Sequence, residues 1–200
     1  MPIQRTKLLN RTVNVRDAHL YVVATEGEKT EAQYLEAFHN SRVRVVTLPT
    51  DTDGKSAPTH VSERLDVFRS GYDLEPGDEL WLMFDVDHHR AEQLSAVCLE
   101  AVQKGINLAV SNPCFELWLC LHVAGVTEIP TNAKECKVFE KRLREILGSY
   151  NKARIEPERF APHIRAAIDR AKALDVVPDE RWPGFPGTHV YRLVERLLSP

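Results

Sequence analysis

Apolar positions along this chain recur in two periods, and the switches between them mark out the elements. His19–Thr25 (HLYVVAT), Arg42–Leu48 (RVRVVTL), Asp78–Asp85 (DELWLMFD) and Ile106–Val110 (INLAV) are short apolar, β-branched runs of strand length. Between them the period becomes helical: Ala32, Leu35 and Phe38, with Tyr34 alongside, within 28–40; Val61, Leu65 and Phe68 within 60–69; Ala91, Leu94, Val97, Cys98 and Ala101 within 90–104. Gly105 then fits the glycine that stops a helix. Strands joined by helix-length connections cannot pair as hairpins, so the expected class is α/β, with a mostly parallel four-stranded sheet flanked by helices.

Past residue 111 the strand pattern disappears. Residues 113–123, 133–147, 157–174 and 188–198 read as helices, the last with Val190, Leu193, Val194 and Leu197 on one stripe and Thr188 as its N-cap. The expected organisation is a basic arm over 1–17, an α/β core over 18–125 and a helical C-terminal layer over 126–200, all in one compact unit.

Composition narrows this picture only a little. Two hundred residues, 43% hydrophobic and 28% charged, suit one ordinary globular domain and disfavour disordered, collagen-like and coiled-coil readings. No apolar run approaches the roughly 18 residues of a membrane span, and the N-terminus lacks a secretory signal's apolar stretch, so a cytoplasmic protein with no membrane association is expected. The four cysteines, Cys98, Cys114, Cys120 and Cys136, have no CxxC spacing and read as buried small hydrophobes rather than disulfides or zinc ligands.

Charge is more informative. The net −3 resolves into +4 over residues 1–16, −11 over 17–130 and +4 over 131–200. Either the middle gathers carboxylates at a metal site while basic flanks meet a polyanion, or this is ordinary surface charge.

Ligands of open parallel sheets bind at the edge where the strands end. Two acidic clusters fall there: Glu26, Glu28 and Glu31 after the first strand, and Asp85 and Asp87 after the third. In extended chain Asp85 and Asp87 leave the same face about 6.6 Å apart. Converging carboxylates repel one another unless a cation neutralises them, and Mg²⁺ or Mn²⁺ is the natural hard, oxygen-binding ion. Gly27 lets the backbone turn sharply beside a ligand.

These residues also carry a resemblance. A hydrophobic strand ending in Glu26-Gly27, followed two strands later by one ending in Asp85-Val86-Asp87, resembles the Toprim domain of bacterial primases, topoisomerases and OLD-type nucleases. More closely, Glu26–Glu31, Phe84–Asp87, the block Ser111–Trp118 (SNPCFELW) and Pro186–Val190 resemble the RloB family, which includes the abortive-infection protein AbiLii, across residues 20–198. The resemblance implies a Toprim-like, metal-dependent phosphodiester-cleaving module of bacterial anti-phage defence, acting on DNA or RNA. It also implies an ABC- or AAA-type ATPase partner encoded nearby. Carried over by motif, Glu26 is the Toprim glutamate, a general base or metal ligand, and Asp85 and Asp87 are the metal-binding pair. Glu31 resembles the second acid of the OLD-type EGxTE pattern, with one residue inserted here.

Other features leave two readings each. Ser111 and Asn112 stand where an N-cap and a helix N-terminus would meet a phosphate, with Pro113 near the first helical position. Glu116, one turn in, is either a second-metal ligand or a structurally paired acid, while Phe115, Leu117 and Trp118 read as core. His88 and His89 contact metal, water or phosphate, or lie in a polar loop; Asp87-His88-His89 also matches the DHH phosphoesterase motif, but the further motifs of that family are missing. Lys55 is a candidate phosphate contact, although Pro49 replaces the first P-loop glycine and Asp51 and Asp53 oppose ATP binding. Lys134, Lys137, Lys141 and Arg144 form a helical basic stripe, for a nucleic-acid backbone or for solvent. A non-catalytic interaction or sensor subunit of the ATPase complex is the competing function, and a homo-oligomer stays open.

Overall fold

The computed structural model describes residues 18–50, 57–87, 89–132 and 134–200. The basic arm over 1–17, Lys55 with its neighbours Asp51 and Asp53, and His88 lie outside the described residues. The chain begins β1 (His19–Thr25), α1 (Thr30–Glu36), β2 (Val43–Leu48), α2 (Pro58–Gly71), β3 (Glu79–Met83), α3 (Ala91–Gln103) and β4 (Asn107–Leu108). These four strands form one parallel sheet in the order β2-β1-β3-β4. The α/β class and the helix-flanked parallel sheet are therefore as expected, and Gly105, at φ +72°, ends α3 as anticipated.

Strand alternation divides the interior in two. Leu20, Val22 and Ala24 of β1 and Leu80 and Leu82 of β3 face Val61 and Leu65 of α2 and Leu94, Val97 and Ala101 of α3. Tyr21 and Val23 of β1 and Trp81 and Met83 of β3 face the opposite way, onto α1 and the C-terminal helices. Those helices are α4 (Phe115–Val123), α5 (Cys136–Leu147), α6 (Ile164–Leu174) and α7 (Val190–Leu198). Helix α4 is buried through Phe115–His122, because it runs inside this layer against α5 and α6; hence its sequence is apolar on nearly every side. The stripe Val190, Leu193, Val194 and Leu197 is buried as read from its spacing.

Strands do not vanish after residue 111. Two more, β5 (Ser111–Asn112) and β6 (Gly187–Thr188), pair antiparallel, and Asp85 bridges Ser111 beyond the end of β4. Two-residue strands carry no readable alternation, which is why the SNP turn looked like a helix start. Helix α4 instead begins at Phe115, with Cys114 at the cap position. The Ser111 hydroxyl bonds Thr188 Oγ1 at 2.9 Å, and the Asn112 amide donates to the Pro183 carbonyl. Helix α7 likewise begins at Val190, after β6, with the Thr188 hydroxyl accepting the Val190 N–H. The segment expected as helix from 157 comprises two 3₁₀ turns before α6. None of the helices among the described residues is long and apolar enough to cross a membrane.

Candidate metal centre

The strand order puts β1 between β2 and β3, so the chain leaves β1 in one direction and returns on its other side. That is the switch point at which an open α/β sheet parts into a crevice. Glu26 follows β1 and Asp85 follows β3 at this place, and a cleft of about 430 Å³ opens there. Glu26, Glu31, Asp85, Asp87 and Glu116 all line it, so five acids assigned from three separate motifs share one cavity.

The backbone around them is tightly held. The Glu26 N–H donates to the Met83 carbonyl, and the Glu26 carbonyl accepts from the Thr50 hydroxyl. The Arg64 guanidinium donates to the Thr25 carbonyl. Val86 N–H reaches the carbonyls of Ser111 and Pro113, and Asp87 N–H that of Pro113. The chain therefore turns at Val86 instead of running extended through Asp85-Val86-Asp87, yet both aspartates still face the cleft. Ser111 and Pro113 serve here as backbone supports for the acidic turn, while the side chains of Ser111 and Asn112 are engaged with Thr188 and Pro183.

Glu26 is fastened at both oxygens: Oε2 accepts the Asp85 N–H at 2.9 Å, and Oε1 pairs with His89 Nε2 at 3.2 Å. His89 thus touches the acid ascribed to the Toprim motif. Glu31 is 6% exposed, and its carboxylate lies against the Cα of Gly27. A methyl group on Gly27 would fall inside van der Waals contact of both Glu31 carboxylate oxygens. This close approach, rather than an unusual dihedral, is what requires glycine here. Gly27→Ala should displace Glu31 and cost about 1–3 kcal/mol, typical of overpacking, measured by urea unfolding; a neutral result would mean that Glu31 moves freely.

Burial and mutual proximity set the electrostatics of these acids. Burial, then the neighbouring Glu116 and Glu26, push the Glu31 carboxyl up to about 7. Asp85 is held well above the usual carboxylate range by desolvation and by Glu31, Glu26 and Glu116 around it. Glu26 is raised by burial, with the Asp85 N–H and His89 pulling the other way. Burial raises Glu116 as well. Lys29 and Lys152 line the cleft, but each pairs with an acid, Glu28 and Glu140, at 3.7 Å.

Several contributors were not legible in sequence. Tyr150 OH donates to Glu116 Oε1 at 3.3 Å, and the loop carrying it is pinned to α1 by the Thr30 hydroxyl bonded to the Lys152 carbonyl. Cys136, at the first position of α5, donates its thiol to Asp87 Oδ2 at 2.9 Å. Cys98 and Cys120 are core residues, as read. Cys114 is buried in the core as well and Cys136 packs against it, and with Glu116 these two also form a cluster whose ligand atoms all lie within 4.8 Å of one another. The 21 positions between Cys114 and Cys136 hide this from any spacing rule.

The basic stripe is outside the cleft. Lys134, Lys137, Lys141 and Arg144 are exposed; Lys134 lies over the Phe185 ring, Lys141 pairs with Glu145 and Arg144 with Glu140.

Compared with known protein families, residues 21–197 match the model described as RloB, RloB-like protein. The chain belongs to the RloB-like family. Glu26, Glu31, Asp85, Asp87 and Glu116, and Cys114 and Cys136, fall inside the matched span. No curated protein and no solved structure gives a significant match.

Proposed function

We propose that this RloB-like protein is a divalent-metal-dependent phosphodiester-cleaving enzyme, a Toprim-like component of a bacterial anti-phage, abortive-infection system that works with an ABC- or AAA-type ATPase. The observation that carries this reading is the convergence of Glu26, Glu31, Asp85, Asp87 and Glu116 in one cleft at the sheet's switch point. Family membership is consistent with the defence role; the ATPase partner and the nucleic-acid substrate are parts of the proposal.

The donor set fits Mg²⁺ or Mn²⁺. It consists of carboxylate oxygens, and the upward displacement of Asp85, Glu26 and Glu31 comes first from burial and then from neighbouring carboxylates, both of which disfavour the charged form that a hard dication would favour. Asp85 and Asp87 would hold the ion, with Glu26 beside them. Bound there, a dication supplies Lewis acidity toward a phosphate oxygen and a more acidic water. The chain's own contributions follow from its geometry. Glu26, oriented at both oxygens and lining the cleft, would act as base or ligand. Lys29 and Lys152 supply positive charge at the walls for a phosphodiester backbone.

The test is to co-express the protein with the neighbouring ATPase and profile cellular DNA, RNA and tRNA. Cleavage that requires Mg²⁺ or Mn²⁺ and stops with chelator is the expected result. A folded complex that cleaves none of them, with either ion present, would overturn the reading in favour of an interaction or sensor subunit.

A further inference from the structure

Cys114, Glu116 and Cys136 form a second donor set on one side of the cleft, chemically different from the aspartate side. Two observations set it apart from a chance meeting of core thiols. First, Cys114 stands at the cap position of α4 and Cys136 opens α5, so two helix N-termini, of 9 and 12 residues, lie at the two cysteines. Second, the Cys136 thiol bonds the Asp87 carboxylate at 2.9 Å, which joins this set to the acidic one.

We infer that the cleft carries a thiol-containing metal site, with Cys114, Cys136 and Glu116 as its protein ligands and Asp87 beside it through its bond to the Cys136 thiol, selective for a borderline transition-metal dication of the Zn²⁺ type. Two sulfurs and one carboxylate oxygen within 4.8 Å of one another match a three-ligand S/O site with a fourth position for water far better than an octahedral Mg²⁺ shell. On binding, the ion takes the place of the thiol protons of Cys114 and Cys136, which leave to solvent, and each sulfur binds as thiolate. Glu116 keeps its support from Tyr150 OH, the kind of outer hydrogen bond that orients metal-binding carboxylates. The inference deepens the metal-dependent reading of the same cleft and rests on it for the site's use, while ion occupancy is measured apart from cleavage.

The experiment is a Co²⁺ titration of the full-length protein, freed of metal and reduced, followed by absorbance. Sulfur-to-cobalt charge transfer in the near ultraviolet, with intense visible bands of four-coordinate cobalt, is expected, and Zn²⁺ should bleach both where Mg²⁺ does not. Cys136→Ser and Cys114→Ser should each reduce the charge-transfer band to about half, because its intensity follows the number of cobalt–sulfur bonds, the double variant should lose it, and each single variant should weaken Zn²⁺ binding by more than about 100-fold, the upper end for loss of a mere supporting partner. Cys98→Ala, in the core, should keep it; circular dichroism verifies that each variant is folded. No band in the wild-type protein, or an undiminished band in folded Cys136→Ser, would overturn the thiol site. If Mg²⁺-dependent cleavage were intact in that event, the proposed function would stand without it; a band present with no cleavage by the ATPase complex would overturn the proposed function and leave the thiol site standing.

Discussion

Asp85→Asn is expected to lower divalent-dependent cleavage by at least roughly 10³-fold, about 4 kcal/mol of barrier, while the fold stays intact. The asymmetry follows from what the side chain and the backbone of this residue do. The Asp85 N–H holds Glu26 Oε2 and its backbone bridges Ser111, and both survive the substitution. The carboxylate, in contrast, sits among Glu31, Glu26 and Glu116 and is destabilised by all three when ionised. Removing its charge therefore relieves the ion-free protein while depriving a cation of a central ligand. Kinetics on the ATPase complex together with thermal unfolding in chelator separate the two effects. Cleavage within about tenfold of wild type would show that Asp85 is not a ligand; a large fall in the unfolding midpoint would show that it is structural.

Glu31→Gln should stabilise the metal-free protein at alkaline pH and leave it nearly unchanged in acid. The folded carboxyl sits at about 7 against an ordinary 4.5, so the folded state binds the extra proton between those values. Its contribution is fully present below about pH 4.5 and lost as pH rises through 7, on the order of 3 kcal/mol at 1.36 kcal/mol per unit. His122 and His189, both lowered to about 4 by burial, run the other way: their contribution disappears as pH falls from 6.5 toward 4. The readout is therefore the difference between wild-type and Glu31→Gln stability from pH 5 to 8, in which the histidines cancel. Mn²⁺ at pH 8 should recover much of the wild-type loss, about 2.7 kcal/mol at a hundred times its dissociation constant. A flat difference curve would place Glu31 in solvent, contrary to its 6% exposure.

Part of the site could be read directly. Glu26, Glu31, Asp85 and Asp87 are visible because the ends of strands in a parallel sheet must share one edge, and strand ends are marked by where apolar runs stop. His89 was legible only as one of two readings; its bond to Glu26 depends on the turn at Val86. Glu116 was assigned from a helix start two residues too early, yet it reached the cleft because α4 still points its first turn there. Ser111 and Asn112 were misread for a related reason: β5 is too short to alternate, and its partner β6 lies 75 residues further on. Nothing local marks Tyr150, Lys152 or the meeting of Cys114 with Cys136.

The chain's own periodicity thus determined the α/β class, the parallel sheet, the stripes that pack it and the sheet edge that holds the acids, because each depends on residues close together in sequence. The tertiary structure decided the rest: which acids are near enough to raise one another's affinity for protons, where Gly27 must yield room to Glu31, and that two cysteines flank the same cleft. Those properties depend on distances between α4, α5 and the sheet, which are set by packing across the whole helical layer and carry no short-range pattern.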